Sequence, residues 1–319
     1  HRDLHSFPTR RSSDLIDVPA GLTNVVAIAA DSFSVALRID GMVVVWGSSY
    51  YDVTNVPPQA TNIVAIACGG GNILALREDG VVVGWGLSYS LNMPPATRLT
   101  VPAELSNVVA IAYEDSYGLA LRSDGSVAAW GFGWSEQTNL PPNLTNIAAI
   151  ACGDYHSLAL RFDSTVVAWG TNKGGTNVPA GLSNVVAVAA GYAHSVALRA
   201  DGSIVTWRGD YDFGQTIIPA GLRRVTAIAA NGNHSLALIG ERQQVLPPEL
   251  SVARMSGGLS LKLSGQPGGR YVLESARVLS PPQPWQFFKN LRMPNQSVYE
   301  LNPVSNEAPQ GFYRARLVP

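Results

Sequence analysis

Short runs of β-branched and small apolar residues alternate with Gly, Asp and Pro along most of the chain. Runs of the type VVAIA, SLALR and VVAWG follow one another and then return. Asn24 begins NVVAIAADSFSVALRIDGMVVVWG, and Asn62 begins NIVAIACGGGNILALREDGVVVGWG. Asn107, Asn146 and Asn184 begin three more copies, and Arg224 begins a sixth, RVTAIAANGNHSLALIG, which then stops. The spacings are 38, 45, 39, 38 and 40 residues. A period of this size belongs to propeller blades or helical arrays. No helical periodicity of 11 residues occurs inside a copy, so each copy predicts three short strands. The runs are apolar at consecutive positions, which predicts strands buried on both faces. Blades stacked around an axis bury both faces and leave few exposed edges. The Ala-rich first run suits the innermost strand, where blades crowd.

Asp-Gly separates the second and third runs at Asp40-Gly41, Asp79-Gly80, Asp124-Gly125 and Asp201-Gly202. That pair predicts a tight hairpin turn, because Gly accepts positive φ. Asp163-Ser164 stands there in the fourth copy, so its turn is expected to be strained or of another type. Each of the first four copies closes with Trp-Gly (Trp46, Trp85, Trp130, Trp169), and Trp207 precedes Arg208 in the fifth. A variable segment then ends in Val56-Pro57, Val101-Pro102, Leu140-Pro141, Val178-Pro179 or Ile218-Pro219, and Val18-Pro19 is the same landmark. The chain is therefore expected to start in the tail of a copy, with the missing strand of the sixth copy, and one further blade, supplied from upstream.

HSLALRxDGxVVAWG followed by VPxGL resembles the regulator of chromosome condensation repeat, in its short bacterial form. The resemblance covers residues 16–240 and implies an all-β fold, a seven-bladed β-propeller with about six blades present here. It implies no single activity. The eukaryotic founder is a nucleotide exchange factor that binds chromatin, and secreted bacterial relatives include inhibitors of β-lactamases. Nothing in this chain matches an exchange wedge or a basic chromatin tail.

Charge and composition narrow the picture. Only 14% of the 319 residues are charged and the net charge is −1, which excludes a disordered chain and gives no signal for nucleic acid. Residues 16–240 carry 10 Lys/Arg and 16 Asp/Glu, while residues 241–319 carry 9 and 5, so a boundary near 240 is expected. No apolar run reaches the roughly 18 residues of a membrane span. Residues 1–15 contain HSFPTRRSSDL, which resembles a translated sequencing adapter; a disordered basic arm is the alternative. An adapter there would mean a gene cut at its 5′ end, with any signal peptide lost.

Candidate chemistry concentrates in CGDYHSLALR, where Cys152, Asp154, His156 and Ser157 fall within six positions. The other copies serve as controls. His156 aligns with His194 and His234, and with Asn72, Tyr117 and Phe33. A general base acts at one place with fixed partners, so a tiled residue reads as structural, bonding backbone near a turn. Three axial His could in principle hold a metal, but no metal and no cofactor is expected. Cys68 and Cys152 replace Ala in copies two and four, too far apart for a disulfide, and read as small buried hydrophobes. The Trp after each third run reads as inter-blade packing, and the Arg after each second run as a solvated or salt-bridged scaffold residue. No catalytic residue is assigned, and the chain is read as a non-enzyme; the competing enzyme reading places a site at the channel mouth.

What survives is a binding rim. Asp31, Glu114, Asp115 and Asp154 would line one face with Phe33, Tyr117, Tyr155 and Tyr192 from the same loops. Tyr50, Tyr51, Tyr89, Phe132, Trp134, Tyr211 and Phe213 come from the segments after Trp-Gly. Tyr and Trp dominate interface hot spots, and acidic loops steer a basic partner. The expected partner is a protein, with polysaccharide stacked on the aromatics as the alternative. After a linker at 241–250, residues 251–319 alternate short apolar runs with turns, which predicts a small β-sandwich. GRYVLESARVL, Pro284-Trp285 and Gly311-Phe312-Tyr313-Arg314 resemble a C-terminal β-domain of secreted Verrucomicrobia and Planctomycetes proteins. That resemblance implies export or cell-surface attachment, with Trp285 a core residue rather than a carbohydrate platform.

Overall fold

The computed structural model describes residues 17–47, 52–86, 100–132, 136–171, 175–210 and 214–240, and six strands beyond them. Every regular element among the described residues is a strand. The first sheet holds β1 (Val25–Ala30), β2 (Phe33–Arg38) and β3 (Val43–Gly47). The second holds β4 (Ile63–Gly69), β5 (Asn72–Arg77) and β6 (Val82–Gly86). The third holds β7 (Val108–Glu114), β8 (Tyr117–Arg122) and β9 (Val127–Gly131). The fourth holds β10 (Ile147–Cys152), β11 (His156–Arg161) and β12 (Val166–Gly170). The fifth holds β13 (Val185–Ala190), β14 (His194–Arg199) and β15 (Ile204–Arg208). The sixth has two strands, β16 (Val225–Asn231) and β17 (His234–Ile239). One sequence copy is one antiparallel meander, and the same bulge interrupts the first pairing in all six.

Successive sheets stack, with each first strand lying against the first strand of the next sheet. The core is divided among these interfaces. Between the third and fourth sheets Tyr117, Leu119 and Leu121 meet Ile147, Cys152, Ala159 and Trp169. The second strands of the second to fifth sheets are buried almost throughout, because both of their faces are covered, whereas β17 of the sixth is exposed. Each buried Leu there contributes about 1.5–3 kcal/mol.

Two backbone devices set the stacking. The Asp-Gly loop is not a two-residue mirror-image turn. Gly41 N–H bonds the Arg38 carbonyl at 3.0 Å, and only Gly41 is left-handed, at φ 79°. The loop is thus an ordinary turn followed by a left-handed residue. The Asp side chain accepts from the residue after the Gly, as Asp79 does from Val81 at 3.2 Å. Ser164 takes the same left-handed conformation, at φ 67°, and keeps the same hydrogen bond to Arg161. The turn type is therefore retained and the strain sits on Ser164. The carbonyls of Gly41, Gly80, Gly125, Ser164 and Gly202 each accept the first-strand N–H of the next sheet, at 3.1, 3.2, 3.3, 3.4 and 3.2 Å. The Ser copy makes the longest of these bonds. A Cβ at Gly41 would stand 3.0 Å from Asn62 Cα, so this inter-sheet approach favours Gly.

The second device is the residue before each first strand. Asn24, Asn62, Asn107, Asn146, Asn184 and Arg224 are all left-handed, at φ between 53° and 57°. Asn is the side chain that best tolerates this region. Its carbonyl closes the far end of the second strand, as Asn62 does on Glu78 N–H at 2.9 Å.

Beyond residue 240 lie β18 (Glu249–Met255), β19 (Gly258–Ser264), β20 (Arg270–Ala276), β21 (Gln286–Arg292), β22 (Val298–Val304) and β23 (Phe312–Val318). They form two antiparallel three-stranded sheets, ordered β18-β19-β22 and β21-β20-β23. β18 begins at Glu249, inside the segment read as linker, and the remainder of that segment (241–248) and Trp285 lie outside the described residues.

Candidate functional site

The loop between first and second strands and the segment after the third strand emerge at the same end of each sheet. Phe132 N–H bonds the Ser116 carbonyl at 2.9 Å, Thr171 N–H bonds Tyr155, and Gly209 N–H bonds Ala193. The Asp-Gly turns lie at the opposite end. The first loops of the third, fourth and fifth sheets and the described residues that follow their third strands therefore open on one face.

Acidic side chains from different sheets converge at the axial ends of the first strands. Glu114 of the third sheet accepts from Asn231 Nδ2 of the sixth at 3.3 Å. Burial pushes the Glu114 carboxyl up to about 8, aided by the charges of Asp154, Asp31 and Asp115. Asp154 is raised to about 6 by burial, then by Asp115 and Asp31. Asp115 is raised by burial, while its bond with Ser116 opposes the shift. Asp31 Oδ2 accepts Gly71 N–H of the next sheet at 3.1 Å. The neighbouring backbones nearly touch: a Cβ on Gly70 would fall 1.9 Å from the Asp115 carbonyl oxygen. Beside this mouth Tyr155 and Tyr192 meet edge to face, with ring centroids 4.9 Å apart and hydroxyls 2.8 Å apart. Gln137 Nε2 fixes the loop by donating to the Asp154 carbonyl at 2.6 Å. Phe132, at the foot of the Asp115 loop, is 46% exposed.

Two aromatics assigned to the rim do not lie on it. Phe33 is 0% exposed and Tyr117 is 1% exposed. Each is the first residue of a second strand rather than a loop residue, so its side chain points into the inter-sheet core. Tyr50, Tyr51, Tyr89, Trp134, Tyr211 and Phe213 lie outside the described residues. The structure thus brings together Asp31, Glu114, Asp115, Asp154, Tyr155 and Tyr192, with Phe132 at the edge. It adds Asn231, whose polar side chain at the end of the Ala-Ile-Ala-Ala run of β16 was the available signal.

The tiled residues are fasteners between sheets. His156 Nε2 pairs with Ser195 Oγ of the next sheet at 2.8 Å, and His194 Nε2 with Ser235 Oγ at 2.8 Å. Tyr117 donates from the third sheet to the fourth, its hydroxyl reaching the Gly153 and His156 carbonyls at 2.9 Å and Ser157 Oγ at 3.0 Å. Asn72 Nδ2 donates to Tyr113 Oη at 3.2 Å. The expected partner was nearby backbone; for both His residues it is a Ser hydroxyl one sheet on. Burial holds the His156 imidazole down to about 3, with a smaller effect from His194, so it stays neutral near pH 7. The cysteines are free thiols. Burial, then Asp31 and Glu114, pushes Cys68 up to about 12, and burial raises Cys152 further, which removes the thiolate a nucleophile needs. The indole N–H groups of Trp85, Trp169 and Trp207 donate to the carbonyls of Val53, Gln137 and Gly175, at 2.8, 2.7 and 2.6 Å. Arg38 and Arg77 pair with Asp40 and Asp79 at 2.7 Å. Among the described residues no group of three or more His, Cys, Asp or Glu is arranged to hold a metal ion.

The family model of the regulator of chromosome condensation (RCC1) repeat matches residues 63–90, 147–175 and 185–207. These three segments of the chain are RCC1 repeats by that match. Solved structures share the fold of the RCC1-repeat region. Yeast RCC1 (Prp20), solved bound to Kap60, superposes with a TM-score of 0.56 at 19% identity, over 76% of this chain and 70% of that one. The CRINKLY WD40 ectodomain of the Arabidopsis thaliana receptor kinase ACR4 gives 0.53 at 22% identity, over 69% and 78%. Human WBSCR16 gives 0.52 at 18% identity, over 66% and 71%. At these identities the likeness is one of fold, and the fold is a β-propeller of stacked sheets. No curated protein sequence matches the chain.

Proposed function

We propose that the chain is a non-catalytic, secreted or cell-surface protein-interaction module. It binds a basic protein partner through the face that carries Asp31, Glu114, Asp115, Asp154, Tyr155 and Tyr192. The convergence of carboxyls from three different sheets on one mouth, beside the edge-to-face Tyr155–Tyr192 pair, carries this reading. Carboxyls held at raised pKa values gain from a cationic partner that neutralises them. Two edge-to-face tyrosines offer rigid amphipathic contact area at low entropic cost. The fold supports the same reading. Yeast Prp20 was crystallised with Kap60, and its binding to Gsp1p and histones has been described. The two C-terminal sheets serve export or anchoring in this reading.

Selection of a displayed random-peptide library on the whole chain tests it. Counter-selection uses the Asp154→Lys, Tyr192→Ala double variant. Enrichment of Lys- and Arg-bearing peptides that the variant fails to hold is the expected result. Recovery of no binders, or of binders that the variant retains equally, contradicts the proposal.

A further inference from the structure

Just before the first strand, five of the six sheets carry Ser or Thr followed by Asn: Thr23-Asn24, Thr61-Asn62, Ser106-Asn107, Thr145-Asn146 and Ser183-Asn184. The sixth carries Arg223-Arg224. All of these residues are exposed, so access to solvent belongs to the position in every sheet. Short neutral side chains are thus replaced by two cations at one place. Arg224 keeps the left-handed backbone of its sister Asn residues, at φ 56°, which Asn tolerates better.

The pair stands against the Asp-Gly turn of the fifth sheet. Val225 N–H bonds the Gly202 carbonyl at 3.2 Å, and a Cβ on Gly202 would lie 3.3 Å from Arg224 Cα. Gly202 N–H in turn bonds the Arg199 carbonyl at 3.0 Å. Arg223 and Arg224 border one cleft together with Asp201, Gly202 and Ser203. Charge does not balance there. One sheet earlier, Arg161 acts on Asp163 and the neighbouring pair is the neutral Ser183-Asn184. Here Arg199, Arg223 and Arg224 share the single carboxylate of Asp201. That carboxylate already accepts Ser203 N–H at 2.9 Å and the Ser203 hydroxyl at 2.6 Å, and Arg199 attracts it as well. Neither the Arg223 nor the Arg224 guanidinium has an ion-pair or hydrogen-bond partner among the described residues.

We infer that Arg223 and Arg224, beside the Asp201-Gly202-Ser203 turn, bind a dianionic phosphate group, either free phosphate or a phosphate monoester. A guanidinium is a planar fork of donors that pairs with two oxygens of such a group at once. A phosphate monoester carries close to two negative charges above its second pKa of about 6. That charge matches the two guanidiniums left over once Arg199 is set against Asp201. A phosphate diester or a carboxylate brings one negative charge and matches half of it. The site lies at the turn end of the sheets, opposite the acidic mouth, and is independent of what that mouth binds.

The probe is inorganic phosphate, titrated with the whole chain at about pH 7.5, where it is mostly dianionic, and at fixed ionic strength. Broadening of its phosphorus NMR line reports binding. Saturable broadening is expected, with half-effect near about 1 mM, as two charge-assisted pairs would give. Phenyl phosphate should displace the probe, which admits monoesters; failure to displace it confines the site to free phosphate. Dimethyl phosphate and acetate should compete at least about tenfold more weakly. The Arg223→Thr, Arg224→Asn double variant restores the residues of the fourth sheet and should abolish the broadening while keeping its far-UV circular dichroism. If the double variant misfolds, Arg223→Thr alone decides, with binding at least about tenfold weaker expected. Absence of saturable broadening up to about 10 mM, equal competition by dimethyl phosphate, or undiminished binding by the variant overturns the inference.

Discussion

The interface between the first and second sheets and that between the fourth and fifth solve one packing problem in two ways. At the first, Phe33 opens β2 and shares a wholly apolar core with Ile73 of the next sheet. At the second, His156 opens β11 and hydrogen-bonds Ser195, the residue equivalent to Ile73. All four side chains are buried at 0% exposure. The position therefore demands a filled volume and a matched neighbour, not an imidazole. Side chains that look like a catalytic set within one copy are fasteners when the next copy is placed beside them.

The largest expected effect comes from removing a fastener that fills the most space. Tyr117→Ala should lower stability by about 3–5 kcal/mol, from the cavity and from the buried groups of the fourth sheet left without its hydroxyl. Urea denaturation measures it. Tyr117→Phe separates the two contributions and should cost about 1–3 kcal/mol. If Tyr117→Phe costs nothing, the polar interfaces gain nothing from their hydrogen bonds and the comparison collapses to volume alone.

The next effect is on pH dependence, where mouth and fastener have opposite signs. Glu114 holds its proton more tightly folded than unfolded, with a folded value of about 8. Its contribution is fully present below about 4.5 and is lost as pH rises from there through about 8. His156 is held down to about 3 from the ordinary 6.5. Its contribution is present above about 6.5 and is lost as pH falls below it. The two contributions offset each other between about 4.5 and 6.5, so thermal melts should fall as pH rises from about 6.5 to about 8 and fall again as it drops below about 4.5. Glu114→Gln should flatten the alkaline side and His156→Asn the acid side. The smallest effects concern backbone conformation. Ser164→Gly should stabilise by about 0.5–1 kcal/mol, and Arg224→Asn by about 0.5 kcal/mol, because both residues are left-handed where their sister copies carry Gly or Asn. Melting temperatures of the single variants check both.

Much of this was legible in the chain. Six copies in register predicted every described strand of the sheet stack, and the apolar runs after residue 250 predicted short strands there. Inside versus outside at the loop ends was less legible. Phe33 and Tyr117 align with loop-flanking residues, and only the register of β2 and β8 shows them turned inward. The His–Ser pairing crosses from one copy to the next, so no single copy displays it. Reading the columns together would have exposed it, since Phe33 is followed by Ile73 where His156 is followed by Ser195 and His194 by Ser235. The recurrent Asn before each first strand was likewise visible, but its left-handed backbone is a property of conformation. Convergence of Asp31, Glu114, Asp154 and Asn231 depends on how the sheets curl about the axis, which local pattern does not encode.

A double-mutant cycle on His156 and Ser195 tests most directly whether the tiled residues are matched fasteners. His156→Phe and Ser195→Ile recreate, together, the pair found at Phe33 and Ile73. Each alone leaves a buried polar atom without its partner. Equilibrium unfolding should show the double variant more stable than the sum of the single losses by about 1–3 kcal/mol. Losses that add to within about 0.5 kcal/mol would mean that the two residues do not recognise each other, and would contradict the account.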